Sequence, residues 1–149
     1  MKPYQPQPIV IPPDEGKVLE FIGIKHKLTH QHTGGACYLF EFEFDPESGN
    51  RLHVHQHEDE VVHVLEGAIE IRVGDQTLHA VAGGVAHLPK RIPHALYNPM
   101  ETRSRYLGIA VPGGMETFFD ELSVAQEAGS LDDAEHRRIS LKYGIEWLE

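Results

Sequence analysis

From Tyr38 to Phe44 every second side chain is aromatic. Tyr38, Phe40, Phe42 and Phe44 share one face, and Leu39, Glu41 and Glu43 share the other. A period of two belongs to a β-strand with one face buried. The buried aromatic face reads as plain core, and the functional alternative is that some of these rings line a ligand pocket. The signature recurs down the chain. Ala68–Val73 (AIEIRV) alternates around Ile69, Ile71 and Val73, and Gly74-Asp75 reads as a hairpin turn into Thr77–Val81. Val18–Leu28, broken near Gly23, Val61–Leu65, Val85–Leu88, Ala95–Asn98 and Arg103–Val111 add further short strands, punctuated by glycine and proline. Many short strands with such turns indicate an all-β sandwich or small barrel.

The two ends depart from this pattern. Residues 1–16 hold five prolines and read as an extended arm, of a kind that can lie across a neighbouring subunit. After Pro112-Gly113-Gly114 the spacing turns helical. Met115–Leu122 presents Phe118, Phe119 and Leu122 on one side, and Asp132–Tyr143 reads as a second helix stopped by Gly144. The expected organisation is an arm at 1–16, a β unit at 17–112 and a helical extension at 113–149 packed on it. At 149 residues, with 40% hydrophobic and 24% charged residues, one soluble domain is expected. The N-terminus has no apolar core of signal-peptide length. The single Cys37 excludes an internal disulfide and fits a reducing, cytoplasmic setting. A formal charge of -10 argues against nucleic acid and anionic membrane as partners.

The chemistry concentrates in Arg51–Gly67, RLHVHQHEDEVVHVLEG. His53, His55 and His57 share strand parity, so an H-x-H pair can be drawn from either His53/His55 or His55/His57. Imidazoles beside a carboxylate suit a divalent transition metal. Glu60 stands at an odd offset from His55, so strict alternation would send it to the opposite face. A bend through Gln56–Asp59 would return it. Downstream, Pro89, His94 and Asn98 put another histidine in a turn-rich frame, with Asn98 as a turn residue. His63, His79 and His87 read as surface or strand histidines. His26, His30 and His32 read as a loose solvated cluster.

These residues resemble the cupin superfamily. His53-Val54-His55, Glu60 and Gly67 follow its first motif, and Gly83, Pro89, His94 and Asn98 follow its second. The run HVHQHEDEVVHVLEG is similar to the single-domain quercetin dioxygenase-like branch, as are the Thr33-Gly34-Gly35, Pro112-Gly113-Gly114 and Tyr143-Gly144 frames around it. Two positions depart from the family pattern. The first motif's leading glycine falls at Glu47, and a glycine of the second falls at Arg91, which would reshape the turn before His94 and set a positive charge near a pocket mouth.

The resemblance implies a cupin-type jelly-roll β-barrel and one metal ion (Fe, Mn, Ni, Co, Cu or Zn) on His53, His55, Glu60 and His94. It implies a dioxygenase that opens a flavonol-like or enolisable aromatic substrate, with Glu60 as both ligand and general base. Tyr38, Phe40, Phe42 and Arg91 are the expected substrate contacts, and a homodimer is the expected assembly. The alternatives are another metal-cupin reaction (isomerase, decarboxylase or lyase) on a small oxygenated acid or sugar, and a binding cupin without turnover.

Overall fold

The structure is a computed structural model and describes residues 3–149; the first two residues of the proline-rich arm lie outside the described residues. The alternating segments form eleven strands, named β1 to β11 in chain order, in two antiparallel sheets. The first sheet runs β1 (Val18–Leu19), β2 (Ile24–Leu28), β3 (Tyr38–Phe44), β10 (Ser104–Val111), β5 (Asp59–Glu66), β8 (Val85–Leu88). The second runs β11 (Ile145–Trp147), β4 (His53–His55), β9 (His94–Tyr97), β6 (Ala68–Val73), β7 (Gln76–Val81). Among the described residues there are also three α-helices, α1 (His30–Thr33), α2 (Met115–Glu127) and α3 (Asp133–Lys142), and a 3-10 turn at Glu20–Ile22.

The core lies where the inward faces meet. Phe40, Phe42, Val62, Val64 and Tyr106 come from the first sheet, Ile69, Ile71 and Leu96 from the second, and Met115, Phe118, Leu122 and Ile139 from the helices. β3, β5 and β10 hide alternate residues, as the period-two reading requires; β5 buries Glu60, Val62 and Val64 in turn. Gly108 faces Phe40 across the β3–β10 pair, and a Cβ there would stand 2.4 Å from the Phe40 ring. Its missing side chain makes room for that ring.

Two glycine-to-larger departures leave the backbone unchanged in kind. Glu47 has φ 52° and Arg91 has φ 67°, both in the left-handed region. The turns that glycine usually makes are kept with a side chain in place, at a strain of about 1 kcal/mol or more each. Arg91 is held there by its own N–H, which donates to the His55 carbonyl at 2.8 Å. Asn98 ties the neighbouring turn: its amide donates to the Phe44, Asp45 and Thr102 carbonyls, and its Oδ1 accepts from Met100 N and Ser104 Oγ.

Three expectations change. The C-terminal extension is not wholly helical. After Gly144, whose φ of 73° ends α3's run, Ile145–Trp147 forms β11 and pairs with β4. The solvated histidine cluster is split, because His26 is buried. Its Nδ1 meets Tyr38 Oη at 2.6 Å and its Nε2 meets Asp120 Oδ1 at 3.0 Å. Finally, the arm from residue 3 to 16 carries neither strand nor helix and folds back on its own chain, where the buried Lys27 amine donates to the Pro12 and Glu15 carbonyls at 2.7 and 2.8 Å. Among the described residues no helix is long and apolar enough to cross a membrane.

Candidate metal centre

β4 and β9 lie side by side, with His53 directly opposite His94. His55 is two residues along β4, on the same face as His53. Their ring centres are 5.0 Å apart, and His94 lies 4.6 Å from His53 and 5.5 Å from His55. All three are buried, and one nitrogen from each lies within 4.8 Å of the others. Glu60 arrives from the opposite sheet. The bend at Gln56 and His57 carries the chain from β4 across to β5, so parity restarts and the Glu60 carboxylate turns back toward the histidines. It stands 3.1 Å from His55 Nε2 and 3.6 Å from His94 Nε2. The longer separation is an electrostatic contact rather than a hydrogen bond. His57 sits exposed on the bend, outside the cluster.

Hydrogen bonding fixes how the rings are presented. His53 Nδ1 lies 2.7 Å from the Arg51 carbonyl. A carbonyl only accepts, so Nδ1 carries the proton and the Nε2 lone pair is free. His55 Nδ1 faces Glu58 Oε2 at 3.5 Å, a second buried carboxylate that sequence reasoning did not single out. His94 has no hydrogen-bond partner on either nitrogen, although both are buried. Leaving a buried polar atom unpaired costs about 1–3 kcal/mol. Those orphaned nitrogens and the donor set fit a metal ion. Donors about 2.1 Å from one ion and at right angles to each other lie about 3 Å apart, near the Glu60 separations.

The charges are strongly coupled. Burial, followed by the neighbouring His94 and His55, pushes the His53 pKa down to about 3. For Glu60, burial works upward, but the His55 and His94 imidazoles outweigh it and pull the carboxyl down to about 2. Burial also opposes charge on His55, yet Glu60 and then Glu58 reverse this and raise its pKa above the ordinary value. The site therefore holds an ionised carboxylate among imidazoles of unequal basicity.

A cavity of about 750 Å³ opens beside the cluster. His53, His55 and Glu60 form its polar wall; Phe40, Phe42, Phe118 and Phe119 are among its apolar lining. Tyr38 is outside that lining, fully buried behind Phe40 with its hydroxyl spent on His26. Arg91 is also outside it, exposed at its turn. Trp147 on β11 lines the cavity and lies 4.7 Å from the His53 ring. Its only trace in the sequence is the three-residue stretch Ile145-Glu146-Trp147 after Gly144, too short to show a period.

Residues 40–110 match the family described as Cupin domain. No curated protein matches the chain at a significant level. Solved structures similar to it include a predicted oxalate decarboxylase from Thermotoga maritima, 20% identical with a TM-score of 0.57, covering 60% of this chain and 78% of that one. KdgF from Halomonas sp. is 21% identical with a TM-score of 0.55, covering 64% and 85% respectively. The cupin domain of Cnp3 from Schizosaccharomyces pombe is 15% identical with a TM-score of 0.53, covering 74% of each chain. At these identities the likeness is one of fold. The matched segment contains the three histidines and Glu60, while Trp147 and α2 come from outside it.

Proposed function

We propose that this protein is a metal-dependent cupin dioxygenase acting on a flavonol-like, enolisable aromatic substrate. His53, His55, His94 and Glu60 would hold one divalent transition metal ion in a jelly-roll barrel closed by the two sheets. The observation that carries the reading is the cavity: phenylalanine rings line it together with His53 and His55 of the cluster and a buried, ionised carboxylate 3.1 Å from His55. When bound, the ion supplies Lewis acidity and a site for substrate and dioxygen.

The chain's own residues account for the rest. Phe40, Phe42 and Phe119 provide flat apolar surfaces against which an aromatic ring can be held and water excluded. Glu60 is ionised, so it can accept the proton of a substrate hydroxyl at its Oε1 or Oε2. Its two neighbours, His55 and His94, keep the carboxylate ionised until that transfer, which leaves it as the neutral acid. Glu58 stands behind His55 Nδ1 at 3.5 Å, an electrostatic contact that favours positive charge on that ring.

The competing reading is a decarboxylase or isomerase on a small oxygenated acid. The likeness in fold to a predicted oxalate decarboxylase motivates it. Such a substrate wants a free cation inside the cavity. Of the cations in the lining, Arg103 is paired with Asp45 and Glu43 and Arg105 with Glu66 and Glu41, whereas Lys25 meets only the Pro13 carbonyl, at 3.4 Å, and is the one candidate among the described residues for such a substrate. A cytoplasmic homodimer is the assembly and setting that accompany the proposal.

The test is metal content by elemental mass spectrometry on protein purified without chelator or affinity tag, followed by oxygen uptake with quercetin. About one ion per chain and quercetin-dependent oxygen consumption are expected. Metal without oxygen uptake would favour the acid-directed chemistry, and failure to take up any of the six ions would remove both.

A further inference from the structure

The proposed reaction uses one wall of the cavity. Another polar group lines it from α3. His136 contributes to the same cavity, yet its Nδ1 is shut from solvent and has no hydrogen-bond partner. The groups packed around it are already engaged. The Trp147 indole N–H donates to Ser140 Oγ at 2.8 Å, and Ser140 Oγ in turn donates to the His136 backbone carbonyl at 2.7 Å. Asp133 is taken by Arg51 and Arg137. Nδ1 of His136 therefore lacks a protein partner.

The location is what makes this informative. Trp147 touches both rings, with its centre 4.7 Å from His53 and 5.2 Å from His136, so the two imidazoles lie at most 9.9 Å apart. A molecule of two or three rings, held at the histidine cluster, can reach His136 with its other end. Burial, and then the positive charge of Arg51, hold the His136 pKa below the ordinary value, which keeps the ring neutral. A neutral imidazole has one donor and one acceptor. A hydroxyl has both as well, so the match is to a hydroxyl rather than to a carboxylate.

Resting on the dioxygenase reading, we infer that His136 is a second substrate anchor, hydrogen-bonding a ring hydroxyl of a polyhydroxylated aromatic at the end away from the metal cluster. The contact selects among substrates that share the same enolisable group.

The experiment compares wild type, His136→Leu and His136→Gln, each metal-loaded, in titrations with quercetin and with 3-hydroxyflavone, which lacks quercetin's additional ring hydroxyls. In His136→Leu, quercetin affinity should fall about tenfold, the equivalent of one hydrogen bond. The affinity for 3-hydroxyflavone should stay within about twofold, and His136→Gln should recover most of the loss. Metal content should be equal in all three. Should leucine disturb Trp147, the ratio of the two affinities within each variant still decides, because general damage lowers both. An unchanged ratio in His136→Leu overturns the anchor and leaves the dioxygenase reading standing. Wild-type protein that binds neither flavonol overturns both.

Discussion

The Trp147 indole lies 4.7 Å from the His53 imidazole, tilted 35° against it, and it belongs to a strand that enters the sheet only after the last helix. The C-terminus thereby supplies one side of a site whose ligand candidates come from the middle of the chain.

Trp147 is the sole tryptophan, so its emission reports on this site alone. Titration with Co(II), Ni(II) or Cu(II) should quench that emission and saturate near one equivalent. The His55→Ala/His94→Ala double variant should show no quenching at that stoichiometry. Equal quenching of the two proteins would mean that the ion binds elsewhere.

Glu60→Gln removes the charge and the proton acceptor but keeps the shape. Metal content should be largely kept, while quercetin-dependent oxygen uptake should fall by about 10²–10⁴, the usual contribution of a general base. A fully active Glu60→Gln protein would exclude the base role.

Metal affinity should weaken with acid. An ion needs neutral imidazoles, and the pKa of His55 is raised by Glu60 and Glu58 against the effect of burial, so this ring takes up a proton more readily than an ordinary histidine as pH falls. Affinity measured between pH 8 and pH 5 should drop by up to about tenfold per unit once that proton competes. His53, at about 3, adds no competition in this range. In the metal-free protein, the ionised Glu60 stabilises the fold above its ordinary value of 4.5, and that contribution is lost as pH falls toward about 2. A pH-independent metal affinity would show that His55 is not a ligand.

Arg91→Gly should relieve the left-handed strain. The gain is offset in part by the greater freedom of glycine in the unfolded chain, leaving a net stabilisation of about 0–1 kcal/mol in urea denaturation. A loss of more than about 1 kcal/mol would show that the Arg91 side chain holds the turn itself.

Gly108→Ala should do the opposite. The added methyl meets the Phe40 ring at 2.4 Å, so either that ring or β10 must shift. A destabilisation of about 1–3 kcal/mol is expected, together with weaker quercetin binding because Phe40 lines the cavity. Unchanged stability would mean that Phe40 swings freely into the cavity.

Period-two patterns made most of the strands legible, because Ile69, Ile71, Phe40 and Phe42 each face a core that lies on one side only. The cluster of His53, His55 and His94 was legible because two motif spacings converge on it. What was hidden depends on partners distant in the chain. His26 looked solvated because its polar partner, Asp120, lies 94 positions away. Trp147 escaped notice because a three-residue strand carries little periodicity, and its pairing with β4 is set by tertiary packing. The left-handed turns at Glu47 and Arg91 could not be read from side-chain identity, since the shape there is a property of backbone angles that these residues adopt under constraint.

The bend at Gln56 and His57 puts His55 and Glu60 on facing sheets, with only four residues between them. An ion gripped by both would act as a rivet through the sandwich. Its grip then doubles as a gauge of how tightly the two layers are pressed together. A core substitution far from the histidines, if it lets the layers ease apart by a fraction of an ångström, should loosen the rivet before it unfolds the protein.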